Sequence, residues 1–206
     1  MKKIFLLSVI LLNILFLSLA ESSAENDLNP SRFEKAVLAG GCFWCVESDL
    51  EKVTGVAGVV SGYAGGNGAN PTYKTYERMG YIEVVEVTYD PAVISYEQLL
   101  DEFFRKINPT DGGGQFCDRG KAYRPAVFYQ DEAQRKIIEQ SIEKLQKSGK
   151  FDKPFKTELI KEAPFYPAED YHQDYYKKNS LKYKYYRTRC GRDQYLQKIW
   201  GKDAGH

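Results

Sequence analysis

Two cysteines three residues apart stand out in Gly40-Gly41-Cys42-Phe43-Trp44-Cys45-Val46-Glu47. Upstream, Ala36-Val37-Leu38-Ala39 reads as a strand; downstream, Phe43, Val46, Leu50 and Val53 recur at helical spacing. Cys42 therefore falls at a strand-to-helix junction, in the first turn of the helix. Gly40 and Gly41 permit a tight turn and leave room for an approaching group. A helix N-terminus presents unpaired N–H groups and a partial positive charge. Both favour a thiolate and lower a cysteine pKa below its free value of about 8.5, so the position suits a nucleophile. The competing reading is a buried structural cysteine beside two core aromatics.

Glu83 is the second candidate. The run Ile82 to Tyr89 alternates as a strand does, placing Glu83 on one face with Val85, Val87 and Tyr89. The other face carries Ile82, Val84, Glu86 and Thr88. A carboxyl on the more apolar face loses water, which raises its pKa. It then stays protonated near neutral pH and can donate a proton. The alternative is a salt-bridged or solvated glutamate at a strand end.

Four cysteines are present: Cys42, Cys45, Cys117 and Cys190. In an exported chain four cysteines suggest two structural disulfides, but a domain of this size does not need such staples. A four-cysteine zinc site requires two closely spaced pairs, and Cys117 and Cys190 are far apart in sequence. Redox chemistry is the better reading. The chain has 29 basic and 28 acidic residues among 206, so no field of one sign draws it to nucleic acid or an anionic membrane. Sixteen tyrosines offer hydroxyl donors around a polar ligand as well as apolar bulk.

The elements that hold these groups divide the chain as follows. Residues 1–20 read as a secretory signal peptide: Lys2 and Lys3, an apolar run from Ile4 to Ala20, and small residues at Ser18 and Ala20. A membrane anchor is the less favoured alternative. Residues 21–33 form a polar lead-in. About 185 residues remain, enough for one domain with a single core. Strands are expected at 56–63, 82–89, 126–130 and, at an edge, 156–161. A helix capped by Ser95 and Gln98 is expected to end near Lys106, and one capped at Asp131 to end at Gly149. Shorter helices are expected at 72–78 and 168–179. Residues 108–120 read as an irregular loop, and the tail 180–206 shows little periodicity before Leu196. The class is α+β, one sheet with helices mainly on one face.

Several motifs, in order, resemble one family. Besides Gly41-Cys42-Phe43-Trp44 they are Gly62-Tyr63-Ala64-Gly65-Gly66, Asn70-Pro71-Thr72-Tyr73, Gly80-Tyr81-Ile82-Glu83, Tyr89-Asp90-Pro91, Asp118-Arg119-Gly120 and Pro164-Phe165-Tyr166 through Glu169-Asp170-Tyr171-His172. The chain resembles the peptide methionine-S-sulfoxide reductases over about residues 34–180. The resemblance implies a two-layer α/β sandwich built on a ferredoxin-like core, with residues 34–206 as a single domain that includes a mobile C-terminal tail. It implies thiol-dependent reduction of methionine-S-sulfoxide, free or in oxidised proteins. Cys42 would be the nucleophile, Glu83 the proton donor, and Tyr73 and Tyr123 the hydroxyls on the sulfoxide oxygen. Phe43 and Trp44 would wall the substrate methyl, and Asp118, His172 and Tyr175 would lie near the substrate cleft. No metal or bound cofactor is implied. A thioredoxin-like dithiol donor would act on a monomer.

The chain departs from the common motif at Cys45, where glycine is frequent, at Tyr81, where histidine is frequent, and at Cys117, where asparagine is frequent. Three thiols therefore compete to resolve oxidised Cys42. Cys45 is one helical turn away and is favoured. Cys190, in an irregular tail free to swing, is a direct competitor or a relay, and Cys117 adjoins Asp118. The functional alternatives are a general thiol–disulfide oxidoreductase acting through Cys42-x-x-Cys45 and a disulfide-stapled binding module.

Overall fold

The computed structural model describes residues 32–204. The signal peptide at 1–20 and all but the last two residues of the lead-in lie outside the described residues. In chain order the elements are β1 (Glu34–Ala39), α1 (Phe43–Leu50), β2 (Val56–Ala64), β3 (Ile82–Tyr89), α2 (Tyr96–Phe104), β4 (Gly114–Gln115), β5 (Asp118–Arg119), β6 (Ala126–Tyr129), α3 (Glu132–Lys147), β7 (Glu158–Lys161), β8 (Tyr166–Pro167), α4 (Tyr175–Lys178), α5 (Ser180–Cys190) and α6 (Arg192–Trp200).

The sheet runs β7-β6-β1-β3-β2-β8, with β6 and β7 parallel and the other neighbours antiparallel. Within it, β1-α1-β2-β3-α2-β6 in the spatial order β6-β1-β3-β2 is the split βαβ arrangement of a ferredoxin-like core. The alternation in β3 decides what faces what. Val85, Val87 and Tyr89 enter the main core with Leu99, Leu100, Phe103 and Phe104 of α2 and Ile138 of α3. Ile82 and Val84 enter a smaller cluster with Ala39, Ala64, Ala126 and Phe128. Glu83 is thus on the helix-covered face. The Ser95 hydroxyl accepts from the Gln98 amide and the Gln98 side chain accepts from the Ser95 amide, forming the expected capping box. Asp131 caps α3 through the Gln134 amide.

Three local expectations change. Residues 72–78 form successive turns rather than a regular helix, with the Thr72 carbonyl accepting from the amides of Thr75 and Tyr76 and the Thr75 hydroxyl accepting from the Thr72 amide. Of 168–179 only Tyr175–Lys178 is α-helical. The described part of the tail, residues 180–204, is not irregular: it forms α5 and α6, broken at Gly191 with φ 75. Buried guanidinium groups dock it. Arg187 pairs with Asp49 at 2.8 Å and with Asp193 at 2.7 Å, and donates to the Tyr183 hydroxyl. Polar docking of this kind leaves no apolar stripe to read.

Candidate active site

Cys42 is the residue immediately before α1, with φ −49 and ψ 116, and its carbonyl accepts from the amides of Cys45 and Val46. The turn needs both glycines. Gly41 has φ 82, and a Cβ there would lie 2.4 Å from Cβ of Gln115; a Cβ on Gly40 would lie 2.6 Å from Ile107. The turn delivers Cys42 to a cleft of about 90 Å³ lined by Cys42, Phe43, Trp44, Tyr73, Glu83, Asp118, Tyr123 and Tyr186. A larger groove of about 700 Å³ lies between the end of α1 and α2, and no cysteine lines it.

Glu83 is 2% exposed. Burial raises its carboxyl to about 8, against the opposing effect of bonds from the Phe43 amide at 3.0 Å and the Tyr76 hydroxyl at 3.0 Å. It is therefore mostly protonated at neutral pH and can donate. Burial also lifts the Tyr73 phenol, to about 12, and the Tyr123 phenol further. Both remain hydroxyl donors at the cleft. The Tyr76 hydroxyl lies 3.2 Å from that of Tyr123, joining Glu83 to the donor pair.

The thiols do not follow the expectation drawn from the helix terminus. Burial pushes the Cys42 thiol up, reinforced by its hydrogen bond to Cys45. Cys45 is lowered, first because its sulfur accepts that bond, and then through the charges of Arg192 and Arg187. Of the two, Cys45 is therefore the more readily ionised thiol. Cys117 and Cys190 form a disulfide, with Cys117 exposed and Cys190 half-buried. Cys190 is therefore the last residue of α5, bonded to Cys117, and does not lie in an irregular segment.

Trp44 forms a wall held from behind. Its Nε1–H donates to Nδ1 of His172 at 3.1 Å, and Tyr175 stacks on it at 3.8 Å and 9°. His172 and Tyr175 are absent from the cleft lining and support it instead. Burial lowers the His172 pKa, which leaves the ring neutral and Nδ1 free to accept. Glu169 accepts from the Tyr73 amide at 3.0 Å and the Tyr63 hydroxyl at 3.0 Å, fixing the segment that presents Tyr73. Asp118 lines the cleft and accepts from the Tyr186 hydroxyl; burial raises its carboxyl. Tyr76, Tyr186 and Glu169 escaped the sequence reading. Tyr76 lies three residues after Tyr73, but the turns there give it no readable face. Tyr186 lies on a helix without an apolar stripe, and Glu169 was read only as part of a motif.

A chemically competent cleft is thus in place: a thiol, a protonated carboxyl, two phenols and an aromatic wall. Residues 34–204 match the family model described as peptide methionine sulfoxide reductase. The chain belongs to the peptide methionine sulfoxide reductase family. It is 49% identical to a peptide methionine sulfoxide reductase MsrA/MsrB of Vibrio cholerae over 98% of this chain and 56% of that protein, so it spans little more than half of that relative. It is 50% identical to an MsrA of Halalkalibacterium halodurans over 83% of this chain and 98% of the relative. The fold resembles reduced Mxr1 of Saccharomyces cerevisiae, with a TM-score of 0.68 and 31% identity over 74% of this chain and 88% of that one. It also resembles Mxr1 in complex with Trx2, with a TM-score of 0.51 and 27% identity over 71% and 87%. Within the reductase family fold, the α+β class and ferredoxin-like core expected from sequence stand, and the family reaction removes the oxygen of methionine sulfoxide.

Proposed function

We propose that Cys42 attacks the sulfur of methionine-S-sulfoxide while Glu83 protonates the departing oxygen. The observation that carries this reading is Glu83: a carboxyl buried to 2% exposure, raised to about 8, on the same cleft as Cys42. Thiol–disulfide exchange releases no oxygen to be held by two phenols and protonated, whereas sulfoxide reduction does. Tyr73 and Tyr123 donate to the sulfoxide oxygen, and Phe43 and Trp44 enclose the methyl group. A cleft of about 90 Å³ takes the end of one side chain and leaves the peptide outside. That supports action on both free and protein-bound substrate.

The step balances without a cofactor or metal. The thiol and sulfoxide become a Cys42 sulfenic acid and methionine. The Cys45 thiolate then attacks the sulfenic sulfur: an S–S bond forms, the S–O bond breaks, and the hydroxide leaves as water after taking a proton. Reduced Cys117 and Cys190 accept that bridge by thiol–disulfide exchange, restoring the inner thiols and forming the outer disulfide. A thioredoxin-like dithiol reduces the exposed outer bridge and is itself oxidised. The yeast structure named as a complex with Trx2 supports a donor of this class. The Lys2-Lys3 and apolar leader supports export to a periplasmic or extracellular site, where a monomer acts on oxidised proteins without nucleic acid. A dithiothreitol-driven assay resolving the two sulfur epimers tests the reading. The S epimer should be consumed and the R epimer left; consumption of R alone, or of neither, overturns it.

A further inference from the structure

The C-terminal helices reach the nucleophile's turn through one buried cation. Arg192, the first residue of α6, is 1% exposed. It donates from Nη1 to the Lys106 carbonyl at 2.7 Å and from Nη2 to the Gly40 carbonyl at 2.9 Å. Two carbonyls orient the guanidinium without neutralising its charge. Its carbon lies 4.5 Å from the centroid of the Phe116 ring.

These contacts join the outer disulfide to the inner thiols. Gly40 stands two residues before Cys42, Cys190 two before Arg192, and Phe116 immediately before Cys117. Gln115 packs on the same turn, within 2.4 Å of where a Gly41 Cβ would stand. The two segments that carry the outer bridge therefore both grip the turn that presents Cys42. Phe116 has φ 52, a left-handed conformation that a bulky residue keeps only when its surroundings hold it there. The arginine on its ring is part of that hold. A charge kept from water acts on nearby groups with little screening, and the Arg192 charge acts on both Cys45 and Asp118.

We propose that Arg192 is a positioning residue for the reaction: bonded to the Gly40 carbonyl and packed on the Phe116 ring, it fixes the Gly40–Cys42 turn. This rests on the reading that Cys42 is the nucleophile. A purely structural arginine would stabilise the fold and leave the rate of the first chemical step unchanged.

The test compares Arg192→Lys and Arg192→Met with the wild-type chain. Three quantities are read: iodoacetamide alkylation of Cys42 by peptide mapping, the single-turnover rate of methionine release, and the thermal midpoint. Lysine keeps the charge on a compact head that cannot span both carbonyls, and methionine keeps neither charge nor donors. Both variants should still be alkylated at Cys42 and should slow methionine release about ten-fold, since a misplaced nucleophile costs at least that. Wild-type release by either folded variant overturns the positioning of the turn. If Arg192→Met does not fold, Arg192→Lys decides. A wild-type chain that releases no methionine, or is first oxidised on another cysteine, overturns the reading of Cys42 separately.

Discussion

The amide of Phe43 donates to Oε2 of Glu83 at 3.0 Å, so the residue after Cys42 holds the Glu83 carboxyl in place. The first turn of α1 thereby orients both the proposed nucleophile and the proposed proton donor. A folded carboxyl at about 8 sets the pH behaviour. Single-turnover methionine release should be sustained at neutral pH and fall as pH rises through about 8, where Glu83 loses its proton. Glu83→Gln should slow release by about 100-fold or more, the usual share of a general acid, while Cys42 remains open to alkylation. Wild-type release by Glu83→Gln would show that the proton comes from elsewhere.

The same shift has a consequence for stability. Glu83 has its ordinary pKa of 4.5 in the unfolded chain and about 8 in the folded one. Between these values the folded state binds more protons, so stability declines as pH rises from about 4.5 to about 8. Glu47, raised to about 7 by burial, adds a decline of the same sign. Thermal unfolding followed across this range should show a falling midpoint, shallower in Glu83→Gln than in the wild type. A slope identical in the two proteins would place Glu83 outside the linkage.

Much of the fold was legible because its signals are local. The alternation of β3 and the apolar stripe of α2 give their elements directly, and the Ser95 cap needs only four residues. The cleft was legible as far as its groups sit in ordered motifs, as Cys42, Glu83 and Tyr73 do. The tail was not. Arg187 and Arg192 bury charge against Asp49, Gly40 and Lys106, residues more than 80 positions away. No periodicity encodes such partners. The thiol electrostatics were missed because burial outweighs the helix terminus at Cys42, while the hydrogen bond from Cys42, with the remote Arg192 and Arg187, lowers Cys45.

His172 supports Trp44 through one bond between neutral groups. His172→Phe keeps the ring and removes the acceptor, at a cost of about 1 kcal/mol in stability for a bond of this kind. KM for a sulfoxide peptide should rise several-fold with kcat altered much less, because a loosened wall weakens substrate binding. A large loss of kcat with KM unchanged would put His172 in the chemistry itself.

Recycling should divide between the cysteine pairs. Cys45→Ser should still release one methionine per chain but lose thioredoxin-driven turnover more severely than Cys190→Ser. In the wild type limited to one turnover, peptide mapping should find an early Cys42–Cys45 bridge followed by Cys117–Cys190. A first bridge between Cys42 and Cys190 would make α5 the resolving element.

The most direct measurement is a quenched single turnover of fully reduced protein with each sulfoxide epimer, comparing the wild type with Cys42→Ser. With the S epimer, the wild type should release one methionine per chain and carry its first oxidation on Cys42, trapped as a sulfenic adduct or a Cys42 disulfide. Cys42→Ser should release none while keeping the wild-type thermal midpoint. Methionine released by Cys42→Ser, or oxidation appearing first on another cysteine, would contradict the assignment of Cys42 as the nucleophile.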